Sequence, residues 1–436
     1  MVSCMLLTSL LLITVVNSQE ELNICLVKNK AFETEGQIPT NMFHANNGII
    51  VEINKTTEWC YYFHSTKSRS SSKCFPNRYV WNGIDNAATM GVRQVPEETY
   101  LDELKQNIDV QIFRDNETLS ESYPANLIYV LMNDTGPDKV KTKFSNVGRD
   151  MRLVQSKKGE FGLMIAITVD YAKGLTGSVI FGLVRIESSS IYMKYDYNDT
   201  SYLQTISPTN LIRLEAYEDT FVAGSPQARD GNIFDFSKNV YVQKLIDIDR
   251  PTLPLSVSPP IFIPPSKNNL FDLGQAVEIS KDFILFSDPS SEKGVVFAFS
   301  RKDDALNFSV VMQPFPRWGN FQSFGEFLAV TSDEQNPHIY VAAPNAWIHD
   351  NVRKAVKLGR STTEYIGVIY EFQVNDKTKI VESKNYFFVK SDKQSGGLLN
   401  STISNMKKSG DNVYVTLANY DGVFLITCEE NLTLFL

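Results

Sequence analysis

Apolar residues in this chain gather into short runs, most of them closed by a small, acidic or proline residue. The clearest is Phe283-Ile284-Leu285-Phe286, followed by Ser287-Asp288-Pro289 and then by Gly294-Val295-Val296-Phe297-Ala298-Phe299. A second unit runs Phe221-Val222-Ala223-Gly224-Ser225-Pro226 and resumes at Gly231-Asn232-Ile233-Phe234-Asp235-Phe236. A third runs Ile339-Tyr340-Val341-Ala342-Ala343-Pro344 and resumes at Gly367-Val368-Ile369-Tyr370-Glu371-Phe372. Weaker copies are Leu163 to Val169 with Gly177 to Phe181, and Val413 to Leu417 with Gly422 to Ile426. A period of two puts Val368, Tyr370, Phe372 and Val374 on one face of a strand and Ile369, Glu371 and Gln373 on the other. Glycine ahead of each second run suits a tight turn with positive φ. Proline or aspartate ends the first run, because proline cannot donate to a ladder. Each unit predicts a hairpin with an apolar face that needs a neighbour to cover it.

The five glycines are 54, 63, 73 and 55 residues apart. A period of about 61 suits a propeller blade and is too long for a helical solenoid. Carried upstream, it predicts two more units. Gly48 to Ile53 followed by Trp59 to Phe63 is the first, and the second is either Ile108 to Phe113 or Leu127 to Leu131. The expected fold is all-β, a β-propeller of seven four-stranded blades in one domain over residues 19–436, with six and eight blades as the neighbouring counts. Helices are expected only at Pro96 to Ile108 and Ala346 to Leu358. The proline-dense stretch 251–265 reads as a long connection between blades, in preference to a linker between domains.

Met5 to Val16 is apolar except at Thr8, Ser9 and Thr14, and Ser18 follows as a small residue. Residues 1–18 are read as a signal peptide, although no Lys or Arg precedes the apolar run. The product is expected to be secreted, with no later segment apolar enough to span a membrane. Asn54, Asn116, Asn133, Asn198, Asn307, Asn400 and Asn431 each begin a triplet that can accept an N-linked glycan. A net charge of −8 argues against nucleic acid, whose phosphates need a surplus of Lys and Arg.

The repeated units resemble FG-GAP repeats, the blades of the integrin α-subunit N-terminal propeller. Phe324-Gly325 and Leu273-Gly274 match the opening of that motif. Ala223-Gly224-Ser225-Pro226, Ala342-Ala343-Pro344 and Ser287-Asp288-Pro289 match its turn, and Gly231, Gly294 and Gly367 its third element. The match is clearest over residues 210–380. The resemblance implies an extracellular module for ligand recognition or cell adhesion, without catalytic activity. Calcium, which some such blades bind, is not expected. The corresponding loop, Ser332 to His338, lacks the central glycine and carries proline and histidine, and Asp196 to Asp199 also lacks the glycine. No cofactor or metal is therefore expected.

A ring has one seam, and open edges there would leave backbone groups unpaired. Without the signal peptide four cysteines remain. Pairing Cys25 with Cys428 would lock the seam and leave Cys60 and Cys74 to staple the turn after the first unit. The alternative pairs Cys60 with Cys74 alone. No hydrolase, phosphate-loop or metal motif is present, and His44, His64, His338 and His349 have no metal-like spacing, so each reads as a surface or satisfied loop histidine. Between Pro344 and Gly367 lie 22 residues, against four after Pro226 and after Pro289. That insertion holds Trp347, His349, Arg353, Lys354, Lys357 and Arg360, an aromatic-and-basic candidate surface for an extracellular protein or glycan partner. Its bland reading is a solvated loop. The expected function is non-enzymatic recognition. The rivals are a propeller hydrolase acting on glycans through paired carboxylates at the central channel, and a purely structural component. Acidic side chains with raised pKa around that channel would favour the hydrolase.

Overall fold

The computed structural model describes residues 21–27, 30–45, 48–65, 71–83, 88–94, 99–100, 109–114, 117–124, 129–131, 143–145, 150–155, 161–171, 175–187, 190–196, 213–224, 240–244, 273–290, 294–302, 305–314, 323–331, 337–347, 365–375, 379–389, 402–428 and 430–435. The expected signal peptide, the proline-dense stretch and the acceptors Asn116, Asn133, Asn198 and Asn400 lie outside these residues. The described residues form strands and turns with no helix, and the strands make seven sheets.

The first sheet orders Asn41–Ala45, Gly48–Asn54, Trp59–Ser65 and Ser71–Phe75. The second orders Tyr79–Gly83, Ala88–Arg93, Asp109–Arg114 and Glu117–Pro124. In the third, Met151–Gln155 pairs with Phe161–Tyr171, which continues into Leu175–Glu187 and Ser190–Asp196, with short strands at Thr99–Tyr100, Tyr129–Leu131 and Lys143–Ser145. The fourth holds Arg213–Tyr217, Thr220–Gly224 and Val240–Lys244. The fifth holds Val277–Ile279, Phe283–Asp288, Val295–Lys302 and Ala305–Met312. The sixth runs Phe327–Val330, His338–Trp347, Tyr365–Asn375 and Lys379–Val389, then Glu21–Val27 and Glu430–Phe435. The seventh runs Ile403–Ser409, Asn412–Leu417, Val423–Leu425 and Lys30–Phe32. None of the sheets closes on itself into a barrel.

One strand per sheet forms a circuit of contacts: Asn41–Ala45, Tyr79–Gly83, Met151–Gln155, Arg213–Tyr217, Val277–Ile279, Phe327–Val330, Ile403–Ser409 and back to Asn41–Ala45. The packing follows from strand alternation. In the fifth sheet Phe283, Leu285, Val296 and Ala298 share a cluster with Val341, Val368, Tyr370 and Phe388 of the sixth. The intervening Ile284, Phe286, Val295 and Phe297 turn the other way, onto Val222, Val240 and Val242 of the fourth. The sixth sheet repeats the pattern: Ala342, Ile369 and Phe387 face Val413, Val415 and Phe424 of the seventh. The seventh in turn sends Tyr414 and Val423 to Ile49, Val51 and Cys60 of the first. Strands covered on both faces read as continuous apolar runs, which is why the sequence runs are so greasy. Each large apolar side chain so buried contributes about 1.5–3 kcal/mol.

Four strands per sheet holds for four sheets; the third is larger, the fourth has three described strands, and the sixth gains the two chain-terminal segments. Glu21–Val27 pairs parallel to Lys379–Val389 and antiparallel to Glu430–Phe435, while Lys30–Phe32 completes the neighbouring seventh sheet. The start and end of the chain therefore interlock two adjacent sheets. Disulfides join Cys25 to Cys428 and Cys60 to Cys74. Cys428 sits in the connection between two strands and not within a strand.

Other local expectations are corrected. Gly294 does adopt a positive φ of 76°, and a Cβ there would fall 2.3 Å from the Phe324 carbonyl oxygen. Gly177 and Gly367, read as turn glycines, instead lie within strands. Pro344 does not end its strand, which continues to Trp347 through a register shift where proline is tolerated. Ala346 and Trp347 are thus extended, not the start of a helix, and Thr99–Tyr100 forms a strand inside the other expected helix. Asp109–Arg114 and Tyr129–Leu131 are both strands, in different sheets.

Gly294→Ala should destabilise by more than about 1 kcal/mol, because it adds both left-handed strain and a backbone clash; urea unfolding checks this. Removing the Cys25–Cys428 bridge, whose partners are 403 positions apart, should cost about 4–5 kcal/mol. The same denaturant midpoints read it, after peptide mapping of the non-reduced protein confirms the link.

Candidate active site

Five strands of the circuit carry ionisable side chains toward a common centre. Arg152, in Met151–Gln155, is buried, and it donates Nε to Glu215 Oε2 at 2.8 Å and Nη2 to Oε1 at 2.5 Å. Its Nη1 donates to Asp150 Oδ1 at 2.8 Å and to the Met151 carbonyl at 2.6 Å. Asp150 also accepts the backbone N–H of Leu214 at 2.8 Å, which fastens the third sheet to the fourth. Two lysines reach in from the seventh sheet. Lys407 Nζ lies 3.6 Å from Glu215, and Lys408 Nζ donates to Glu278 Oε1 at 2.7 Å. The seventh sheet touches the first and sixth in the circuit, and these two lysines bring it to the fourth and fifth as well.

Low-dielectric surroundings make these groups unlike their free counterparts. Burial works against the Arg152 charge, but Asp150 and Glu215 outweigh it and keep the guanidinium ionised. Burial likewise opposes Glu215 ionisation; the charge and hydrogen bonds of Arg152, with Lys407 and Lys408 behind, pull its pKa down to about 2. Glu278 moves the other way. Burial raises its pKa, Lys408 only partly offsets this, and the Glu215 charge raises it further. Burial, with Arg152 as a like charge, lowers the Lys407 pKa against the pull of Glu215. His44 belongs to the same centre. Burial lowers its pKa to about 4, Glu215 opposes the shift, and Lys408, Arg152 and Lys407 reinforce it. Its Nδ1 is buried without a hydrogen-bond partner.

A cavity of about 90 Å³ opens beside Arg152 and Glu215, lined by Asn41, Phe43, Arg213, Gln275, Glu326 and Phe327 together with Asp150, Arg152, Glu215 and Lys407; Glu278, Lys408 and His44 are not among its lining residues. Asn405 Nδ2 donates to Asn41 Oδ1 at 2.7 Å on its wall. The lining thus combines amides, both signs of charge and two aromatic faces.

A second polar group lies away from the centre, on the sixth sheet. Glu371, buried, sits 2.9 Å from His338 Nδ1 and accepts from Tyr340 Oη at 3.1 Å and from Asn385 Nδ2. Burial first, and then the Glu371 charge, raise the Tyr340 pKa. His338 is accordingly a strand residue held by a carboxylate and not a loop histidine. His64 stacks on Phe32 at 4.7 Å between ring centroids, also within a strand.

None of the central residues except His44 was singled out from the sequence, and His44 only as a histidine without a role. Of the candidate loop, Trp347 ends the strand His338–Trp347, while His349, Arg353, Lys354, Lys357 and Arg360 lie outside the described residues. Asn54 and Asn431 are exposed; Asn307 lies in the strand Ala305–Met312. Among the described residues Glu58, Cys60 and Cys74 bring ligand-type atoms together, but both sulfurs are spent in a disulfide. No described helix is long and apolar enough to cross a membrane.

No protein-family model matches the sequence, and no curated protein matches it. Solved structures do resemble the fold. Polysaccharide lyase Uly1 is 11% identical with a TM-score of 0.44, covering 94% of this chain and 97% of its own. The exotype rhamnogalacturonan lyase YesX is 11% identical with a TM-score of 0.33, covering 92% and 76%. A glycosyl hydrolase from Bacteroides ovatus is 14% identical with a TM-score of 0.28, covering 64% and 84%. These similarities are too distant to assign a reaction. The expected FG-GAP kinship is nonetheless corrected: no family model supports it, and the three solved structures named above are two lyases and a glycosyl hydrolase. The expectation of a chain without catalytic activity is withdrawn for the same reason.

Replacing Glu215 by Gln should cost about 3–5 kcal/mol at neutral pH, because it leaves Arg152 and Lys407 buried without their shared anion. The carboxylate's contribution is complete above its ordinary pKa of 4.5 and is lost as the pH falls toward about 2. The wild type should therefore lose stability steeply over that interval and Glu215→Gln much less, as read from urea midpoints against pH.

Proposed function

We propose that this chain is a secreted seven-bladed β-propeller that hydrolyses extracellular glycans at its centre. The propeller reading is supported by seven sheets among the described residues, by the fifth, sixth and seventh being buried on both faces, and by the circuit of contacts that returns to its first strand. The observation that carries the activity is a pair of central glutamates whose environments push their pKa values apart: Glu278 upward and Glu215 downward. Such a divided pair assigns acid and base roles to two chemically identical groups. Glu278, whose pKa burial raises, is the group placed to donate a proton to the departing glycosidic oxygen. Glu215, kept ionised by Arg152 and Lys407, faces the positive charge that develops on the sugar ring. The cavity wall suits a carbohydrate. Amides of Asn41, Asn405 and Gln275 can pair with hydroxyls, while Phe43 and Phe327 offer apolar faces to the sugar ring.

The test incubates the purified protein with soluble neutral and acidic polysaccharides and measures new reducing ends. Wild-type protein should release them, with a rate that falls as the pH rises through the Glu278 pKa, since the donor must be protonated. Glu278→Gln should lower kcat about 10²–10⁴-fold with little change in KM, and a melting curve shows that the variant is folded. Full activity in a folded Glu278→Gln protein overturns the reading, as does the absence of cleavage across the polysaccharides. Products with unsaturated ends would replace hydrolysis by elimination and overturn it as well.

A further inference from the structure

The outermost strand of the sixth sheet, Glu430–Phe435, pairs with Glu21–Val27 on one side and, among the described residues, with nothing on the other. An open edge is a template for pairing with a second chain, and proteins guard such edges with charges, prolines, bulges or a covering segment. This edge has one of those guards, the charge of Glu430 at its start. The rest of the strand, Asn431-Leu432-Thr433-Leu434-Phe435, carries no charge, no proline and no glycine. Its ladder runs without a register shift from Glu21↔Phe435 to Leu26↔Glu430. A flat, uncharged segment rich in strand-forming residues is an association hazard.

What the segment does carry is an acceptor triplet, Asn431-Leu432-Thr433. Strand alternation turns Leu432 onto the core and leaves Asn431 and Thr433 exposed. Asn431 stands opposite Cys25, whose bridge to Cys428 pins the strand close by. The other two acceptors in described strands are placed differently. Asn54 lies in a strand paired on both sides, where a glycan guards no edge. Asn307 lies in an outermost strand whose ladder is already broken by a register shift.

We propose that Asn431 carries an N-linked glycan and that this glycan caps the open edge, keeping the protein from associating through it. The bond forms in the secretory compartment between Nδ2 of Asn431 and the anomeric carbon of an oligosaccharide carried on a lipid diphosphate. The carbon–oxygen bond to the diphosphate breaks, the lipid diphosphate leaves with the electron pair, and the amide gives up one proton. The inference is independent of any reaction at the centre of the protein.

The test expresses the full chain in a eukaryotic secretory host as wild type, Asn431→Gln, Thr433→Val, Thr433→Ser and Thr433→Lys. Peptide mapping before and after an amide-cleaving glycosidase reports occupancy, light scattering on a sizing column reports mass, and melting curves report folding. Wild type and Thr433→Ser, which keeps the triplet, should be glycosylated at Asn431 and monomeric. Asn431→Gln and Thr433→Val should lose the glycan, stay folded and associate, their mass-average rising twofold or more with concentration. Thr433→Lys should also lose the glycan yet remain monomeric, because its charge guards the same edge. An unmodified Asn431 in the wild type overturns the proposal. So do Asn431→Gln and Thr433→Val proteins that are as monomeric as the wild type, and so does a Thr433→Lys protein that associates as Thr433→Val does.

Discussion

A sheet that is apolar on both faces is soluble only when both faces are covered, and the rest of this structure follows from that constraint. In the fifth sheet Phe283 and Leu285 bury against the sixth while Ile284 and Phe286 bury against the fourth, so the sheet has no wet side. A row of such sheets leaves two uncovered ends. Among the described residues the contacts run from Asn41–Ala45 through the five intervening strands to Ile403–Ser409 and return to the first. The glycines that break the rules of ordinary strands serve the same end. Gly294 sits against the backbone of Phe324, at the joint of two sheets, where a side chain has no room.

A second problem arises where strands of five sheets bring charged side chains together, because the chain buries these ions. Arg152 is shared between Asp150 and Glu215, and Lys407 and Lys408 reach in from the seventh sheet. Charges withdrawn from water cost several kcal/mol each unless paired. The pairing here is uneven: Glu215 has two cationic neighbours within 4 Å, whereas Glu278 has Lys408 and a nearby like charge. That inequality, and not any difference in residue type, separates the two carboxyl groups. Another buried carboxylate, Glu52, has a purely architectural part. Arg78 grips it at 2.8 and 3.0 Å and stacks on Trp59.

The hairpins were legible because burial on both faces writes long apolar runs, and the approximate period of 61 gave the number of sheets that is observed. The kinship suggested by the same segments was misleading. Phe324-Gly325 and Leu273-Gly274 place their glycines at φ of 95° and 92°, a backbone demand that any sheet-to-sheet joint of this shape imposes whatever its ancestry. The central site was invisible because its members are scattered from His44 to Lys408 and lack a fixed spacing. A signal existed all the same. Met151-Arg152-Leu153, Leu214-Glu215-Ala216 and Val277-Glu278-Ile279 each set one charge between apolar neighbours in a short strand, which wastes a core position unless the charge has work there. Pro344 deceived for a related reason, since a bulge lets a strand pass through a residue that normally ends it.

The placement of the first strand has a consequence for biosynthesis. Glu21–Val27 is clasped between Lys379–Val389 and Glu430–Phe435, both far downstream in the sequence. This strand must wait through translation of the intervening residues before either partner exists. The sixth sheet and the Cys25–Cys428 link can be completed only after that. Contacts so distant in sequence carry a heavy loop-closure entropy and fold slowly. Folding of the sixth sheet thus includes a late annealing step between Glu21–Val27 and its two partners, during which a chaperone or an oxidase has its longest opportunity to act.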